Sequence, residues 1–223
     1  MNIPYVPEDL LEIGDYEVVS NENNILVVDN WYNPGEEKAI WKELEFFNAT
    51  PKDQIERAEN TIVARDNKGK PLSNAYRYYI ENYYMRKNVS PIFNCMYKQR
   101  SKAFKDILGP NCIPHSRSFN GTNRDSTLIS YYEDNDFYEP HHDTFLWTCL
   151  IWMLKEPKAF DGGDFFMNDP EVEIKVKNNR MVMFPSYYLH SVSPIKFKTP
   201  PKEIGQGRYT ITHFYYSVPR GDR

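Results

Sequence analysis

The sequence has little of the features that mark several specialised protein classes. Its cysteines are only Cys95, Cys112 and Cys149, far apart and without a CxxC pair, which excludes a disulfide framework or zinc ribbon and favours a reducing compartment. No stretch approaches the roughly 18 apolar residues of a transmembrane helix. The N-terminus has neither the basic nor the apolar part of a signal peptide. We therefore expect a cytoplasmic protein without a membrane partner.

Neither sign of charge dominates, since 27 Lys and Arg residues stand against 31 Asp and Glu residues and give a net charge of −4. Nucleic-acid-binding domains normally present a basic patch, so we expect no nucleic-acid partner. Glycine is scarce at 10 residues and is exceeded by 16 prolines, which indicates many turns and strand ends. With 223 residues, the chain fits a single domain over 1–223.

The N-terminal part, residues 1–110, is expected to be rich in helix. It opens with ILVVDNW (25–31), whose continuous apolar run predicts a buried strand. A helix follows at once, in which Ile40, Leu44 and Phe47 recur at helical spacing and are expected on one apolar face. Asn33 is suited to the N-cap, because its side chain can accept a hydrogen bond from a free backbone N–H, and Pro34 is suited to the first helical position.

A second helix is predicted over 91–108. Ser90 can cap its start, and Gly109 can end it by adopting a left-handed conformation. The tyrosine-rich segment before it, AYRYYIENYYMRKN (75–88), has two interpretations. A half-buried helix that packs its rings is favoured, and a substrate groove is the alternative.

The character of the sequence changes at residue 126. Short segments rich in β-branched and aromatic residues are separated by turn sequences such as EDND, NDPE and KNNR. This spacing is typical of an all-β sandwich or barrel. The segments are STLISYYE, FLWTCLIWML, DFFMN, VEIKVK, RMVMF and YTITHFYYSV. The fold class is therefore α+β and mainly β, with a β core over 126–218.

One cluster of residues suggests a metal site. In the sequence YEPHHDTF, the alternation of a strand places His141 and Asp143 on one face and His142 on the other. His190, in a segment where another strand ends in a turn, is the best third ligand. Two histidines and one carboxylate on one side of an ion leave positions open, as in non-haem Fe(II) oxygenases, although the same set also serves zinc hydrolases. These three residues are called the triad below.

A cation suited to a carboxylate follows the triad in the chain. Arg208 begins the strand GRYTITHFYY (207–216), and its guanidinium can bind the far carboxylate of a dicarboxylate through two parallel hydrogen bonds. Thr210 and Thr212 share its strand face and could add hydroxyl contacts.

Together these motifs resemble the prolyl-4-hydroxylase-like branch of the Fe(II)/2-oxoglutarate-dependent dioxygenases. Three elements occur in the family's order, and the resemblance is specific over about 126–218: HHD at 141–143, FDGGDF at 160–165, and FP followed by HSVSP and GQGRYTIT between 184 and 212. The resemblance implies a double-stranded β-helix, or jelly-roll, core with the N-terminal helices packed on one side.

The resemblance also implies roles for single residues. It assigns His141, Asp143 and His190 to iron and Arg208 to the distal carboxylate of 2-oxoglutarate. Tyr131 stands where the family often has a tyrosine in the co-substrate pocket. Relatives often place another tyrosine near Trp152, which is therefore expected to line the same pocket. The implied cofactors are Fe(II), 2-oxoglutarate and O₂, with ascorbate as an additional candidate.

The implied activity is hydroxylation of a substrate C–H bond, coupled to decarboxylation of 2-oxoglutarate to succinate and CO₂. A prolyl or other peptidyl target is one expectation. An oxygenase of a free amino acid or other small molecule, and a non-catalytic jelly-roll binding module, are the alternatives. The link after the metal motif, TFLW, is short and lacks the arginine usual in relatives that hydroxylate proline, so the proline target stays open.

Overall fold

The computed structural model of the chain describes residues 15–48, 56–57, 63–201, 203 and 205–219. Its α-helices are α1 (Pro34–Asn48), α2 (Pro91–Cys95), α3 (Lys102–Leu108) and α4 (Arg117–Asn120). Its strands are β1 (Glu17–Glu22), β2 (Ile25–Asp29), β3 (Glu56–Arg57), β4 (Tyr76–Tyr79), β5 (Arg124–Tyr132), β6 (Tyr138–His141), β7 (Trp147–Met153), β8 (Phe160–Gly162), β9 (Phe165–Asn168), β10 (Glu171–Ile174), β11 (Arg180–Pro185), β12 (His190–Val192), β13 (Ile195–Phe197) and β14 (Arg208–Tyr216).

Two antiparallel sheets make up most of the molecule. The larger one has eight strands in the order β1-β2-β11-β7-β14-β5-β4-β3, and the smaller one has four in the order β10-β9-β12-β6. β14 is central to the larger sheet, because it pairs along its length with both β5 and β7. β13 and β8 form a separate pair. The expected mainly β fold with a jelly-roll core is thus confirmed.

The two faces of the larger sheet are covered by different layers. One face meets the smaller sheet across an apolar cluster that includes Leu150, Trp152, Phe165, Val182 and Phe184. The opposite face packs against the helices, and every residue of the central strand β7 is buried as a result. The helices therefore lie on one side of the core, as the sequence predicted, and a site between the sheets is screened from that side.

The predicted start of the first helix is confirmed in detail. The Glu36 N–H donates to the side-chain oxygen of Asn33, and the Asn33 N–H donates to the Glu36 carboxylate, each at 2.9 Å. This reciprocal pair satisfies two backbone donors that would otherwise lack partners. Ile40 and Leu44 then face the core with no exposed surface, while the side chain of Phe47, expected on the same face, lies outside the described part of the chain.

The prediction of one continuous helix over 91–108 is wrong. α2 ends at Cys95, a 3₁₀ segment covers Met96–Arg100, and α3 begins after Ser101, whose backbone is extended. Ser101 caps α3 by accepting from the Phe104 N–H at 3.2 Å. Ser and its local hydrogen bond compete with continued helix, so a new cap interrupts the apolar pattern.

The favoured interpretation of 75–88 as a helix is also wrong. Its first part is strand β4, which pairs with β5 and β3 and adds to the edge of the larger sheet, and 3₁₀ turns follow it. Tyrosine is more favourable on a half-buried pleated surface than in a helix. The segment therefore pairs with strand β5 instead of forming a helix. As a consequence, Arg77 on β4 faces the space between the sheets.

The three cysteines, Cys95, Cys112 and Cys149, are all buried and form no disulfide bond. Within the described residues, no helix combines the length and apolar character needed to cross a membrane.

Candidate metal centre and anion pocket

The smaller sheet brings the triad together. β6 ends at His141, β12 begins at His190, and these two residues lie opposite each other in the antiparallel pairing. Asp143 follows just beyond the end of β6. The ligand atoms of the three side chains all lie within 4.8 Å of one another, so the three residues could hold one metal ion.

The hydrogen bonds of the two histidines point their free nitrogens at the carboxylate. Nδ1 of His141 lies 2.9 Å from the Glu139 carbonyl, and Nδ1 of His190 lies 2.8 Å from the Tyr188 carbonyl. A carbonyl only accepts, so each Nδ1 carries the proton and each Nε2 has a lone pair. Those Nε2 atoms lie 3.7 and 3.6 Å from the oxygens of Asp143. Three acceptors facing one another favour a cation between them.

Burial keeps both imidazoles neutral. It lowers the pKa of His141 to about 2, with the neighbouring His190 adding to the shift, and it also lowers the pKa of His190. The charged form of a buried imidazole loses its hydration, which is the physical cause of both shifts. Neutral imidazole is the form that ligates metals, so the site needs no proton release from its histidines near pH 7.

His142 takes no part in this arrangement. It is exposed, and its Nδ1 contacts the Tyr187 carbonyl at 2.8 Å. The structure thus places His142 away from the triad, as the alternation argument predicted.

Arg208 is a buried cation at the far end of the same pocket, with 1% of its surface exposed. Its guanidinium donates to the Gly163 carbonyl and to the Thr210 hydroxyl, the latter at 3.0 Å, and lies 4.4 Å from the ring centre of Tyr132. It forms no ion pair with any carboxylate in the described part of the chain, and its Nε has no hydrogen-bond partner. Burial lowers the pKa of Arg208, which shows the cost of placing this charge here.

Trp152 was expected to line the same pocket as Arg208. Its ring centre lies 5.8 Å from the guanidinium carbon, but the side chain is not among those that line the pocket, so its role stays a prediction. The side chain is fully buried, and its Nε1–H has no hydrogen-bond partner in the part of the chain that the structure describes. Buried N–H groups are rarely left unpaired. The indole N–H and the Nε of Arg208 are thus two buried donors without a hydrogen-bond partner among the described residues.

The triad and Arg208 line one pocket with a cavity volume of about 40 Å³. Polar side chains line it at both ends, and apolar ones lie between them: Arg77, Leu128, Ser130, Tyr132, Tyr138, His141, Asp143, Leu150, Phe165, His190, Val192, Arg208, Thr210, Thr212 and Phe214. Thr210 and Thr212 are there, as expected. The sequence reasoning missed Arg77, because only the pairing of β4 with β5 reveals it.

The prediction that Tyr131 lines this pocket is wrong. Tyr131 lies on the opposite face of β5, where its hydroxyl accepts from the N–H groups of Gly205 and Gly207 at 3.0 and 3.1 Å. Its neighbour Tyr132 faces Arg208 instead. Adjacent strand residues point to opposite faces, so a spacing error of one residue exchanges the two tyrosines.

The double glycine of FDGGDF has a structural reason. Gly162 and Gly163 have φ values of +70° and +72°. A Cβ on Gly162 would lie 2.1 Å from the Pro194 carbonyl oxygen, so only glycine fits there. The turn also presents the Gly163 carbonyl to Arg208. This motif therefore helps to hold the arginine.

Residues 127–216 match the sequence profile of the 2OG-Fe(II) oxygenase superfamily. The similarity to that superfamily covers this segment, which is less than half of the chain. The resemblance inferred from the motifs is thereby confirmed, as is the family's cofactor set of Fe(II), 2-oxoglutarate and O₂, while ascorbate stays a prediction. The chain is also similar to a PKHD-type hydroxylase of Maricaulis maris, with 32% identity over 76 residues, covering 30% of this chain. The match spans only about a third of that relative, 35% of its length.

Two solved structures share the fold. One is a prolyl-4-hydroxylase of Pseudomonas putida, at 15% identity and a TM-score of 0.56, with 88% of this chain and 94% of that chain covered. The other is a viral collagen prolyl hydroxylase from Paramecium bursaria Chlorella virus-1, at 12% identity and a TM-score of 0.53, with 88% and 98% covered. At these identities the likeness concerns the fold.

Proposed function

We propose that this protein is an Fe(II)- and 2-oxoglutarate-dependent dioxygenase that hydroxylates a C–H bond of its substrate and converts 2-oxoglutarate to succinate and CO₂. The observation that carries the proposal is the pairing, in one pocket, of a three-acceptor cluster with a buried arginine that forms no ion pair with a carboxylate of the described residues. The first favours a metal cation and the second an anion, and together they suit a metal-chelating dicarboxylate.

The triad would hold the metal. His141 and His190 offer neutral Nε2 atoms, and Asp143 supplies a negative charge that offsets part of the ion's charge. When bound, Fe(II) and 2-oxoglutarate together supply activation of O₂, with decarboxylation providing the electrons that form the hydroxylating oxidant. The Nδ1 bonds to backbone carbonyls fix each imidazole in its ligating tautomer and orientation.

Arg208 would bind the distal carboxylate of 2-oxoglutarate, with Trp152 as a second donor through its indole N–H. The Thr210 hydroxyl holds the guanidinium at 3.0 Å, so the arginine is oriented before the ligand arrives. Leu128, Leu150 and other apolar side chains between the two ends exclude water from the reacting region.

The decisive test is an anaerobic titration with Fe(II) and 2-oxoglutarate that follows the visible charge-transfer band of the chelated complex. We expect a band that requires both additives, is absent in Asp143→Ala and weakens in Arg208→Ala. No band in the folded wild-type protein would contradict the proposal and favour a non-catalytic binding module.

For the substrate, we propose a peptidyl target, prolyl residues included, because two proteins of the same fold are named prolyl hydroxylases. A specific observation favours a second candidate, a free amino acid or other small carboxylate. Arg77 lines the pocket and lies 5.7 Å from the ring centre of Tyr138, which stacks on His141. Succinate formation measured against matched panels of peptides and free acids separates the two, and Arg77→Gln should impair only the second.

The single-domain assignment, 1–223, is part of this proposal. It is supported by the larger sheet, in which β1 and β2 pair next to β11 and β4 pairs with β5. A cytoplasmic location is likewise proposed, and the three unbridged cysteines support it.

A further inference from the structure

Two buried hydroxyl groups, those of Thr148 and Ser186, form a hydrogen-bonded chain that ends on the carboxylate of Asp143. The Thr148 hydroxyl donates to Oδ2 of Asp143 at 2.7 Å and lies 2.8 Å from the Ser186 hydroxyl. Thr148 and Ser186 have no exposed surface. They sit on the larger sheet side, on β7 and just after β11, while the triad histidines belong to the smaller sheet.

The direction of these hydrogen bonds follows from counting protons. An ionised carboxylate only accepts, so the single hydroxyl proton of Thr148 must point at Asp143. The contact between the two hydroxyls can then form only if Ser186 donates to Thr148. The order is therefore Ser186 to Thr148 to Asp143, and the last bond is strengthened by the negative charge.

The backbone fixes the same group of residues. The Asp143 N–H donates to the Ser186 carbonyl at 3.0 Å, and the Ser186 N–H donates to the Leu146 carbonyl at 3.1 Å. Ser186 stands four positions before His190 in the chain. The segment that carries Asp143 and the segment that leads to His190 are thus joined through one serine, by its backbone and by its hydroxyl.

We propose that Thr148 and Ser186 are positioning residues that set the orientation of the Asp143 carboxylate toward the metal. The hydrogen bond from Thr148 to Oδ2 stops the carboxylate from rotating. No side chain among the described residues donates a hydrogen bond to Oδ1, so this oxygen stays available to the metal. Outer hydrogen bonds to ligating side chains usually matter by about 10- to 100-fold in metal affinity. This inference rests on the proposed metal site.

The test uses Co(II), whose visible spectrum reports ligand geometry, in anaerobic titrations against a competing chelator. Thr148→Val removes the hydroxyl at nearly constant shape, and Thr148→Ser is the control that retains it. Ser186→Ala removes only the donor to Thr148. We expect Co(II) affinity to fall about 10- to 100-fold in Thr148→Val. It should fall about two- to tenfold in Ser186→Ala, as for one lost hydrogen bond, and stay near wild type in Thr148→Ser.

A role in positioning also changes the Co(II) spectrum of Thr148→Val, which a purely structural role would not. If wild-type and Thr148→Val proteins bind Co(II) equally and with the same spectrum, the inference is overturned while the metal site stands. If the wild-type protein binds no metal, both the site and the inference fail. If Thr148→Val does not fold, an unchanged affinity in Ser186→Ala overturns the relay.

Discussion

Replacing Arg208 by methionine should weaken the binding of 2-oxoglutarate, but not of the metal, without weakening the fold. The guanidinium is 1% exposed, has no carboxylate partner in the described residues and leaves Nε unpaired. Its two hydrogen bonds, to the Gly163 carbonyl and the Thr210 hydroxyl, are worth about 1 kcal/mol each. Burying a charge with few partners destabilises the folded state by several kcal/mol, so removing it offsets the loss of these hydrogen bonds.

The free energy of unfolding of the ligand-free variant should therefore be unchanged or up to about 2 kcal/mol higher than that of the wild type. At ligand concentrations about 100 times Kd, 2-oxoglutarate with Fe(II) should stabilise the wild type by about 2.7 kcal/mol. For a chain of this size that corresponds to about 5–10 °C in Tm. The variant should lose this 2-oxoglutarate-dependent gain and keep the gain from metal alone.

The assay is chemical and thermal unfolding under argon, with and without ligands. Arg180→Met is the matched control, because Arg180 donates to both oxygens of the buried Asp29, at 2.6 and 2.9 Å. That variant should lose about 2 kcal/mol, since it leaves a buried carboxylate with fewer partners. A loss above about 2 kcal/mol in ligand-free Arg208→Met, or a retained response to 2-oxoglutarate, would refute the reasoning.

Three further predictions concern single residues around the site. Tyr131→Phe should lower the free energy of unfolding by about 1–3 kcal/mol, since two buried N–H donors lose their acceptor. The affinity for 2-oxoglutarate should be unchanged; a weaker affinity would mean that Tyr131 contacts the ligand after all. Gly162→Ala should destabilise more than Gly69→Ala, because both positions have positive φ but only the first places a Cβ against backbone, 2.1 Å from the Pro194 oxygen; equal losses would contradict the steric argument. Burial lowers the pKa of His213 to about 3, so the unfolded chain binds a proton that the folded chain excludes, and stability should fall below pH 6.5 by up to about 1.4 kcal/mol per unit. The buried His141 and His190 add slopes of their own. Between pH 7 and 5, the free energy of unfolding should therefore change less steeply with pH in His213→Asn than in the wild type, by up to about 1.4 kcal/mol per unit; identical slopes would exclude a contribution from His213.

Much of the site could be predicted because its signals are local. The alternation of a strand separates His141 and Asp143 from His142, and the structure agrees. The caps at Asn33 and Ser90 also depend on neighbours within three residues, and both form. The continuous helix over 91–108 failed for a related reason, since a second local cap at Ser101 outweighs the apolar periodicity around it.

The sequence alone determined the residue types at the site, the β character of 126–218 and the helix starts, because these follow from short-range periodicity and hydrogen bonding. Only the tertiary structure decided which side chains share the pocket. The pairing of β4 with β5 places Arg77 in the pocket, and the register of β5 directs Tyr132, not Tyr131, into it. The approach of β7 and Ser186 to Asp143 supplied the hydroxyl relay. Such contacts join residues far apart in the chain, and a shift of one residue in register reverses every side chain of a strand.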